Sequence, residues 1–460
     1  MNLYRKLLGR ERSGRKIRVG LIGAGKFGSM FLAQLPTTQG IHLVGIADLS
    51  VTRARDALAR VGWPEERYAA VGFDDALASG GTFLTEDAAA LIGADLDVVV
   101  EATGNPVAGI GHALASIDAG RHVVMVNVEA DALAGPLLAE RARRSGVVYS
   151  LAYGDQPALV CEMVDWARAA GFEVVAAGKG TKYLPAYHAS TPDTVWNHYG
   201  IAPDRAAAGG MNPQMFNSFL DGTKSAIEMA AIANATGLEA PTDGLGFPPA
   251  GVDDLPRILR PRDAGGVLER DGLVEVVSSL ERDGTQVVRD LRWGVYVVFR
   301  APGDYQARCF AEYGLVTDPT GRYAAMYKPF HLIGLELGIS IASVALRGEP
   351  TGQADGFRAD VASVAKRDLA AGERLDGEGG YMVWGRLMPA EQSLAKGALP
   401  IGLAHGIALT RAVPAGSLVT WDDVAVDATD PAVRFRREME AAFGRDASPG
   451  PGTAPTARLH

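Results

Sequence analysis

Short apolar runs alternate with helix-forming stretches over the first third of the chain. Apolar residues at 19–22 precede a helix-forming stretch that ends near Pro36, and a second apolar run covers 41–47. Three consecutive valines at 98–100 are typical of a strand that is buried on both faces. Further helices and strands are predicted at 51–61, 107–119, 122–126 and 147–151. Strands that alternate with helices in this way predict an α/β fold with a mostly parallel, doubly wound sheet over about residues 15–155.

The turn after the first predicted strand carries glycine at three positions, Gly23, Gly25 and Gly28, in the spacing GxGxxG. In this motif the first glycine permits a tight turn, the second lets the backbone approach a pyrophosphate, and the third lets the helix pack closely on the strand. Asp48 directly follows the next strand, where such a unit places the carboxylate that binds the adenosine ribose. Strand, glycine turn, helix, strand and acid therefore predict a Rossmann dinucleotide-binding domain over residues 1–154, against the alternative of a glycine-rich turn in an unrelated α/β domain.

The residues expected to bind the cofactor lie in the glycine turn and after the strands that follow it. They are Gly23, Gly25, Lys26, Phe27, Gly28, Asp48, Arg53, Thr103, Gly104 and Asn127. The carboxylate of Asp48 repels the 2′-phosphate of NADP, whereas an arginine such as Arg53 is able to accommodate it. The cofactor is therefore NAD or NADP, with NAD expected in preference.

Residues 155–348 are predicted to form a central α+β domain that binds the substrate, carries out catalysis and supports oligomerisation. Its elements are predicted as helices and strands at 156–170, 172–177, 219–235, 295–300 and 331–346. Gly237 is expected to end the third of these, because glycine readily adopts the left-handed conformation that closes a helix.

Two similar segments follow a Gly- and Pro-containing boundary near residue 350. Residues 366–375 and 410–419 share a short apolar stretch and a polar turn with glycine, which predicts a small β-rich module over residues 358–428. Residues 444–460 are rich in Pro and Gly and are predicted to form a disordered tail.

Composition narrows the classes of function and of partner. The 460 residues carry a formal net charge of −9, which gives no support for nucleic-acid binding. No apolar run approaches the length of a membrane span, and no long apolar segment follows the basic N-terminus as in a secretory signal. Two distant cysteines fit a reducing compartment. We therefore expect a cytoplasmic chain that binds a small-molecule substrate and forms a homo-oligomer, a dimer or a tetramer.

Hydride transfer requires a group that exchanges a proton with the oxygen of the substrate. The catalytic candidates are Lys224, Lys182, Asp221, Glu129 and His331. Lys224 begins a predicted helix, and crowding by Lys182 is expected to lower its pKa, while Asp221 orients it. A surface lysine at a helix start and a structural histidine are the alternatives for Lys224 and His331.

Substrate contacts are expected from Asp155, Lys179, Gly180 and Glu228. A phosphate on the substrate is left open, since Lys179 and Lys182 are both able to bind one.

A metal site formed by carboxylates is left open by the sequence. Glu129, Asp155 and Glu162 are the candidate ligands, and oxygen ligands suit Mg²⁺ or Mn²⁺. Helix caps and salt bridges explain the same residues without a metal.

The chain resembles the homoserine-dehydrogenase-like oxidoreductases that carry a C-terminal SAF domain, over roughly residues 1–430. The resemblance rests on segments 125–131 (MVNVEAD), 177–180 (AGKG), 221–224 (DGTK) and 228–237 (EMAAIANATG), with the SAF-like part at 358–428. One branch of this family is the 1-deoxy-D-xylulose 5-phosphate reductoisomerase-like enzymes, which use NADPH. True homoserine dehydrogenases place a catalytic lysine just after the strand that ends here at Asn127, whereas this chain has Val128 and Glu129 there.

The resemblance and the residues together predict an NAD(P)-dependent oxidoreductase. The expected reaction moves hydride to or from a small hydroxylated or phosphorylated carbonyl/alcohol pair. A reductoisomerase-like enzyme is the first alternative. A cofactor-binding sensor whose SAF module recognises the ligand is the alternative from outside the enzymes.

Overall fold

The computed structural model describes residues 2–208 and 211–444. In the N-terminal part, strands and helices alternate as the hydrophobic pattern predicts. The strands are β1 Ile17–Ile22, β2 Ile41–Ala47, β3 Phe83–Thr85, β4 Val98–Glu101, β5 His122–Met125 and β6 Tyr149–Leu151. The helices are α1 Leu3–Arg12, α2 Lys26–Gln34, α3 Val51–Arg60, α4 Phe73–Ser79, α5 Ala88–Gly93, α6 Pro106–Asp118 and α7 Val128–Arg144. Short 3-10 turns lie at Leu35–Thr37 and Glu65–Tyr68.

These strands form one parallel sheet in the order β3-β2-β1-β4-β5-β6, which confirms the predicted doubly wound α/β fold. The chain begins with β1 in the middle of the sheet, adds β2 and β3 on one side, and then crosses over to add β4 on the other side of β1. The topological switch point therefore lies between β1 and β4. Ile22 pairs with both Ala47 and Glu101. The turns that follow β1, β2 and β4 therefore emerge side by side at the carboxyl edge of the sheet, where open α/β sheets bind ligands.

The central part of the chain forms a second, mixed sheet with its own helices. Its strands are β7 Glu173–Thr181, β8 Leu273–Ser278, β9 Val295–Arg300 and β10 Tyr323–Lys328, in the order β10-β9-β7-β8. Its helices are α8 Gln156–Ala169, α9 Val195–Tyr199, α10 Pro203–Ala208, α11 Pro213–Leu220, α12 Thr223–Thr236, α13 Leu255–Ile258 and α14 Asp304–Glu312, with 3-10 turns at Pro185–Ala189 and Arg262–Ala264. Apolar residues of α8 and α12 share one buried cluster with one face of this sheet.

Strand β7 is longer than the pattern predicts, because it continues through Gly178 and Gly180 instead of ending at 177. A Cβ atom at Gly178 would lie 1.8 Å from the carbonyl oxygen of Glu275, and one at Gly180 would lie 2.0 Å from that of Leu291. The two glycines therefore let the neighbouring backbone approach closely. They sustain the strand where the sequence suggested a loop.

Helix α15, Gly338–Arg347, begins later than the predicted helix at 331–346. Gly334 has a left-handed φ of +80° and packs against the backbone of α2, so residues 331–337 form a loop. Beyond this loop, Ile341 and Val344 join the buried cluster under the nucleotide sheet. The chain thus returns to cover a face of the first sheet that would otherwise expose apolar side chains.

The C-terminal part adds short strands that pair in two small antiparallel sheets, β11 with β13 and β12 with β14. The elements are β11 Ala359–Ala365, β12 Arg374–Asp376, β13 Val383–Pro389, α16 Ala390–Ala395, β14 His405–Ala408 and α17 Pro431–Phe443, with 3-10 turns at Ile401–Leu403 and Trp421–Asp423. The two similar segments meet in the fold, since Leu369 and Val413 exchange backbone hydrogen bonds of 2.9 Å. Gly372 and Gly416 take matching left-handed turns.

The C-terminal strands share a hydrophobic core with the central part of the chain. Apolar residues of β11 and β13 belong to the same buried cluster as α7, α8 and α12. Arg436 of α17 is fully buried, binds both carboxylate oxygens of Asp360 at 3.1 and 2.7 Å, and donates to the Leu133 carbonyl oxygen at 3.0 Å. The domain limits at 154, 348 and 358–428 stay predictions. The predicted disordered tail lies, from residue 445 onward, outside the described residues.

Candidate active site

The glycine turn has the shape that a dinucleotide pyrophosphate requires. Gly23 has a left-handed φ of +95°, and a Cβ there would lie 2.7 Å from the carbonyl oxygen of Ala102. At Gly28 a Cβ would lie 2.5 Å from the Gly23 carbonyl oxygen, whereas the Cβ position of Gly25 faces open space. The first and third glycines are therefore needed for packing, and the second leaves the start of α2 open to an anion. Lys26 lies exposed in the first turn of α2.

Asp48 ties the end of β2 to this glycine turn. Its carboxylate accepts hydrogen bonds from the backbone N–H of Ala24 at 2.9 Å and of Ser50 at 3.2 Å. The Arg53 guanidinium also bonds to it, with Nε at 3.1 Å, and the arginine side chain is largely exposed. Asp48, the predicted ribose ligand, and Arg53, the predicted phosphate ligand, thus form an ion pair. A cofactor bound at this edge would meet both charges.

Asn127 is buried between the ends of β4 and β5, and its side-chain amide forms hydrogen bonds with the backbone of neighbouring segments. Its Oδ1 accepts from the Ala130 N–H at 3.1 Å and caps α7, while its Nδ2 donates to the Asn105 carbonyl oxygen at 2.8 Å. Thr103 and Gly104 are exposed at the end of β4. These two, with the open backbone of the glycine turn, remain the predicted cofactor contacts on this edge.

Lys224 occupies the centre of the candidate active site, in the first turn of α12. It forms an ion pair with Glu129, which lies in the first turn of α7. Glu129 follows β5 by only a few residues, so the pair places Lys224 beside the carboxyl edge of the nucleotide sheet. Lys224 and Glu129, both predicted as catalytic, are therefore brought together by the fold.

Carboxylates from four separate segments of the chain act on the Lys224 ammonium group through their charge, and Glu129 is the one in contact with it. Burial by itself would lower the pKa of this lysine, but Glu129, Glu228, Glu378 and Asp155 outweigh it and raise the pKa above its usual value. The expectation of a lowered pKa is therefore wrong. A lysine in this environment stays protonated and donates hydrogen bonds.

Lys182, which was expected to crowd Lys224, has other neighbours. Its Nζ donates a hydrogen bond to the His198 carbonyl oxygen and lies 5.5 Å from the centre of the Tyr199 ring. Burial and the charge of Arg292 lower the pKa of Lys182. Lys182 therefore belongs to a cationic wall with Arg292, and the two lysines do not form the predicted pair.

Lys179 and Glu228 form a buried ion pair beside Lys224. The Gln156 amide, oriented with its nitrogen toward Glu228, donates to both carboxylate oxygens at 3.0 Å. Lys179 thus holds Glu228 in place. Gly180 packs against the backbone of Leu291, and its role as a substrate contact stays a prediction.

Asp155 caps the N-terminus of α8 and is almost fully buried. Its carboxylate accepts from the Gln156 N–H at 2.9 Å. Burial and the nearby charge of Glu228 raise its pKa to about 6, against the opposing effects of Lys224 and His331. His331 lies in the loop before α15, with Nδ1 2.8 Å from the Trp293 carbonyl oxygen. The charges of Lys224 and His331 therefore both act on Asp155, and the predicted roles of Asp155 and His331 stay predictions.

Asp221 does not orient Lys224 as expected. Its carboxylate accepts from Lys366 Nζ at 2.8 Å and from the Thr223 N–H at 2.9 Å. Both partners fix the turn that begins α12. Asp221 therefore holds the helix that carries Lys224 and does not bind the lysine itself.

The three candidate metal ligands do not converge. Glu129 binds Lys224 and Asp155 caps α8, whereas Glu162 binds the Tyr153 hydroxyl on the outer side of α8. Within residues 2–208 and 211–444, no three His, Cys, Asp or Glu side chains are grouped so that they could hold a metal ion.

Sequence reasoning missed three residues that complete the site, namely Lys366, Glu378 and Arg292. Glu378 lies in the loop between β12 and β13, from where its charge acts on Lys224, and Lys366 follows β11. Neither position is close to the motifs in the sequence. The only signal was the run Asp376-Gly377-Glu378-Gly379-Gly380, in which an acid stands between glycines.

Two protein-family models match consecutive parts of this chain. Residues 23–151 match "Homoserine dehydrogenase, NAD binding domain", and residues 154–337 match "Oxidoreductase DRL, catalytic domain". The boundary between the matches coincides with the turn that leads from β6 to α8. The matches assign a cofactor-binding and a catalytic domain of the oxidoreductases, which confirms the predicted class. Neither match reaches residues 358–428, where the SAF-like module was predicted.

Among curated proteins, the chain is similar to a 1-deoxy-D-xylulose 5-phosphate reductoisomerase from Heliobacterium modesticaldum. The two are 30% identical over 191 residues, which is 41% of this chain and 45% of the relative. The chain thus spans less than half the length of the curated relative it matches.

Two solved structures are among those to which the chain is similar. Apo scyllo-inositol dehydrogenase from Lactobacillus casei is 12% identical with a TM-score of 0.38, covering 73% of this chain and 89% of that one. The 1-deoxy-D-xylulose 5-phosphate reductoisomerase from Zymomonas mobilis in complex with NADPH is 19% identical with a TM-score of 0.32. The match covers 46% of this chain and 57% of that one.

Proposed function

We propose that this member of the NAD(P)-dependent oxidoreductases transfers hydride between a nicotinamide cofactor and a small carbonyl/alcohol substrate. The observation that carries the proposal is the Lys224–Glu129 pair. It places a protonated amine beside the edge of the sheet at which the glycine turn would bind the dinucleotide. A substrate oxygen held by Lys224 would therefore have its carbon next to the nicotinamide ring.

In the reductive direction, Lys224 polarises the carbonyl group and protonates the oxygen as its charge develops. The bound cofactor supplies the hydride, or accepts it in the oxidative direction. Glu129 keeps the ammonium group in place, and Lys179 with Gln156 holds the Glu228 carboxylate in position nearby. Asp155, with a pKa raised to about 6 by burial and by Glu228, is able to exchange protons near neutral pH.

The cofactor is NAD in preference to NADP. Support comes from Asp48, whose carboxylate lies at the end of β2 and would repel a 2′-phosphate. Its ion pair with Arg53 weakens that repulsion, because the guanidinium compensates part of the charge. We therefore expect a preference for NAD and not an exclusion of NADP.

The substrate carries an anionic group, a phosphate or a carboxylate, which Lys182 and Arg292 bind. Both side chains are partly buried, and within the described residues neither forms an ion pair with a carboxylate. The guanidinium of Arg292 lies 4.7 Å from the centre of the Trp293 ring, and the Trp293 carbonyl contacts His331. This places the cationic wall next to His331, at one side of the proposed site.

A substrate screen of the purified protein tests the proposal. Short polyols, hydroxy acids and their phosphates are offered with NAD or NADP, and nicotinamide absorbance is followed. If Lys182→Met raises the KM for phosphorylated or carboxylated compounds, the anion contact is supported. The same KM in Lys182→Met as in wild type contradicts it. Tight cofactor binding without turnover of any compound would favour the cofactor-binding sensor instead.

A reductoisomerase-like reaction is the second candidate, because of the likeness to the Heliobacterium modesticaldum protein. Such an enzyme rearranges the carbon skeleton before the reduction. Incubation with 1-deoxy-D-xylulose 5-phosphate and NADPH, followed by mass spectrometry and NMR of the product, separates it from a simple dehydrogenase. A product with an unchanged carbon skeleton excludes the rearrangement.

The assembly and the compartment are also proposed. Large apolar side chains are exposed on and after α14, namely Tyr305, Tyr313 and Val316. We expect them to contribute to a homodimer or homotetramer, which light scattering of the purified chain measures. Cys161 and Cys309 are free thiols, which fits a cytoplasmic location that cell fractionation tests. No helix among the described residues is long and apolar enough to span a membrane.

A further inference from the structure

Seven of the first eighteen residues are Lys or Arg, and the proposed reaction uses none of them. They are Arg5, Lys6, Arg10, Arg12, Arg15, Lys16 and Arg18. In the fold, Arg10, Arg15, Lys16 and Arg18 join Arg67 in the lining of one groove of about 840 Å³. A volume of this size is typical of sites that bind small molecules.

The groove lies at the amino edge of the nucleotide sheet. Its lining comes from the segment between α1 and β1, the starts of β1 and β2, the residues after α3 and the end of α4. The glycine turn lies at the other end of β1, where Gly23 follows Arg18 by five residues. At about 3.3 Å per residue, these two positions are roughly 17 Å apart. The groove is therefore separate from the proposed active site.

Helix α1 is fixed on the sheet, so one wall of the groove has a defined position. Gly40 has a left-handed φ of +75°, and a Cβ there would lie 2.4 Å from the Leu7 carbonyl oxygen. The Gly40 N–H donates to the Glu11 carboxylate at 2.7 Å. Lys6 Nζ donates to the Leu346 carbonyl oxygen at 3.0 Å. The charges of α1 are thus held against the groove and do not lie on a free arm.

Both acids of the groove are engaged in its walls. Glu11 pairs with Lys16 at 3.0 Å, in addition to its bond with Gly40. Asp97 pairs with the Arg18 guanidinium at 2.8 Å and also accepts from the Arg18 backbone N–H at 2.8 Å. Each acid therefore compensates one cation of the lining.

Three arginines of the lining are left without a carboxylate partner. Within the described residues, Arg10, Arg15 and Arg67 form no ion pair. The Arg10 guanidinium donates to the Arg15 carbonyl oxygen at 3.4 Å, and that of Arg67 lies 5.7 Å from the centre of the Trp63 ring. The groove is thus positively charged on a chain whose formal net charge is −9. Guanidinium groups bind phosphate through paired N–H donors.

Apolar side chains lie in the same groove as these arginines. Trp63, Leu77 and Pro36 belong to its lining. Trp63 is nearly buried, and its indole N–H donates to the Leu32 carbonyl oxygen of α2 at 2.8 Å, so the ring is held in place. The lining therefore combines fixed apolar surface with unpaired cations, which suits an organic molecule that carries phosphate.

We propose that this groove binds a phosphorylated organic molecule of the size of a nucleotide. Arg10, Arg15 and Arg67 bind its phosphate groups, and its organic part packs on Trp63 and Leu77. The limited extent of the groove and the negative charge of the whole chain favour a small molecule over a nucleic acid. This ligand is additional to the cofactor and the substrate, because it occupies the opposite edge of the sheet.

Calorimetric titration of the full chain with ATP and with inorganic pyrophosphate tests this, in saturating NAD and without added Mg²⁺. The NAD occupies the dinucleotide site. We expect one saturable site for ATP, and weaker binding of pyrophosphate, which has no organic part. In the double variant Arg15→Gln with Arg67→Gln, the affinity for ATP should fall by about 10-fold or more, because phosphate contacts are removed.

The double variant Arg5→Gln with Arg12→Gln is the matched control. It removes the same charge from exposed positions of α1 that do not line the groove, and it should bind ATP as wild type does. Circular dichroism checks that each variant is folded. If the substitutions at Arg15 and Arg67 prevent folding, Arg10→Gln tests the same contact and should weaken ATP binding in the same direction.

Several results would overturn the proposal. These are no saturable binding of ATP by wild type, unchanged affinity in Arg15→Gln with Arg67→Gln, and an equal loss in the control, which would indicate attraction to net charge alone. Pyrophosphate binding as tight as that of ATP would contradict the packing of an organic part. Binding of a single-stranded RNA but of neither small anion would identify a nucleic-acid surface instead. Because no turnover is measured, the proposed dehydrogenase reaction and this inference fail separately.

Discussion

Lys366 donates a hydrogen bond of 2.8 Å to the carboxylate of Asp221, and both side chains are almost completely withdrawn from solvent. The same ammonium group donates to the carbonyl oxygens of Ser190 and Gly380 at 2.7 Å each. Its three protons are therefore all used. The pair connects the segment after β11 to the turn that begins α12. The position of Lys224 is thus coupled to the C-terminal part of the chain.

Replacing Lys366 by Met should destabilise the protein strongly. The substitution keeps the length of the side chain but leaves the Asp221 carboxylate buried without its charge partner. Breaking a buried pair in this way typically costs about 3–5 kcal/mol of the free energy of unfolding. Urea unfolding of Lys366→Met measures the loss, and Lys396→Met, an exposed lysine on the same part of the chain, serves as control.

A second variant identifies the cause of that loss. In the double variant Lys366→Met with Asp221→Asn the unpaired charge is removed, so a large part of the stability should return. A double variant no more stable than Lys366→Met would attribute the loss to packing and not to charge.

Replacing Lys224 by Met should abolish most of the turnover while cofactor binding survives. The variant loses the proton donor but keeps a side chain of similar length. Removal of a general acid of this kind lowers the rate by about 10²–10⁴-fold. Steady-state kinetics and a fluorescence titration with cofactor measure the two effects, and Lys396→Met is again the control. A rate within a few-fold of wild type would mean that another group near the substrate, such as His331, donates the proton.

Replacing Asp48 by Ser should shift cofactor preference toward NADP. The carboxylate that repels the 2′-phosphate is removed, and Arg53 is released from its ion pair to bind that phosphate. Dissociation constants of NAD and NADP for wild type and variant give the ratio. Asp56→Ser, an exposed acid on α3, should leave the ratio unchanged. An unchanged ratio in Asp48→Ser would show that this residue does not contact the ribose.

Replacing Asp131 by Asn should stabilise the protein, and more so at high pH. Asp131 is fully buried, and burial raises its pKa to about 7, although the Tyr149 hydroxyl donates to Oδ1 at 2.9 Å. A raised folded-state pKa gives a stability contribution that is complete below the unfolded pKa near 4 and is lost as the pH rises to 7. The loss is roughly 4 kcal/mol in full.

Thermal unfolding at pH 5 and pH 8 tests this. Wild type should lose more stability between these values than Asp131→Asn, whose amide does not titrate. Equal losses in both proteins would mean that Asp131 is not the group responsible.

The nucleotide-binding part of the fold was accessible from the sequence because its signals are local. Apolar runs of four to seven residues, the spacing of Gly23, Gly25 and Gly28, and an acid directly after β2 each act within a few residues of one another. The edge at which ligands bind also follows, since the carboxyl ends of parallel strands meet at one edge of the sheet. The order of the strands came only from the structure. The sequence by itself therefore determined the sheet and its class of ligand, while the location of the cofactor site stays a prediction.

Only the tertiary structure decided what surrounds Lys224. The sequence identified the lysine but paired it with Lys182 and Asp221, which are closer along the chain than Glu129 and Glu378. In the fold, Asp221 binds Lys366 and Lys182 binds the His198 carbonyl oxygen, while Glu129 pairs with Lys224 and the charges of three further carboxylates act on it. The protonation of a buried amine depends on the charges within a few ångströms of it. Those distances are set by how α7, α8, α12 and the C-terminal strands pack on one another, and no spacing along the chain records them.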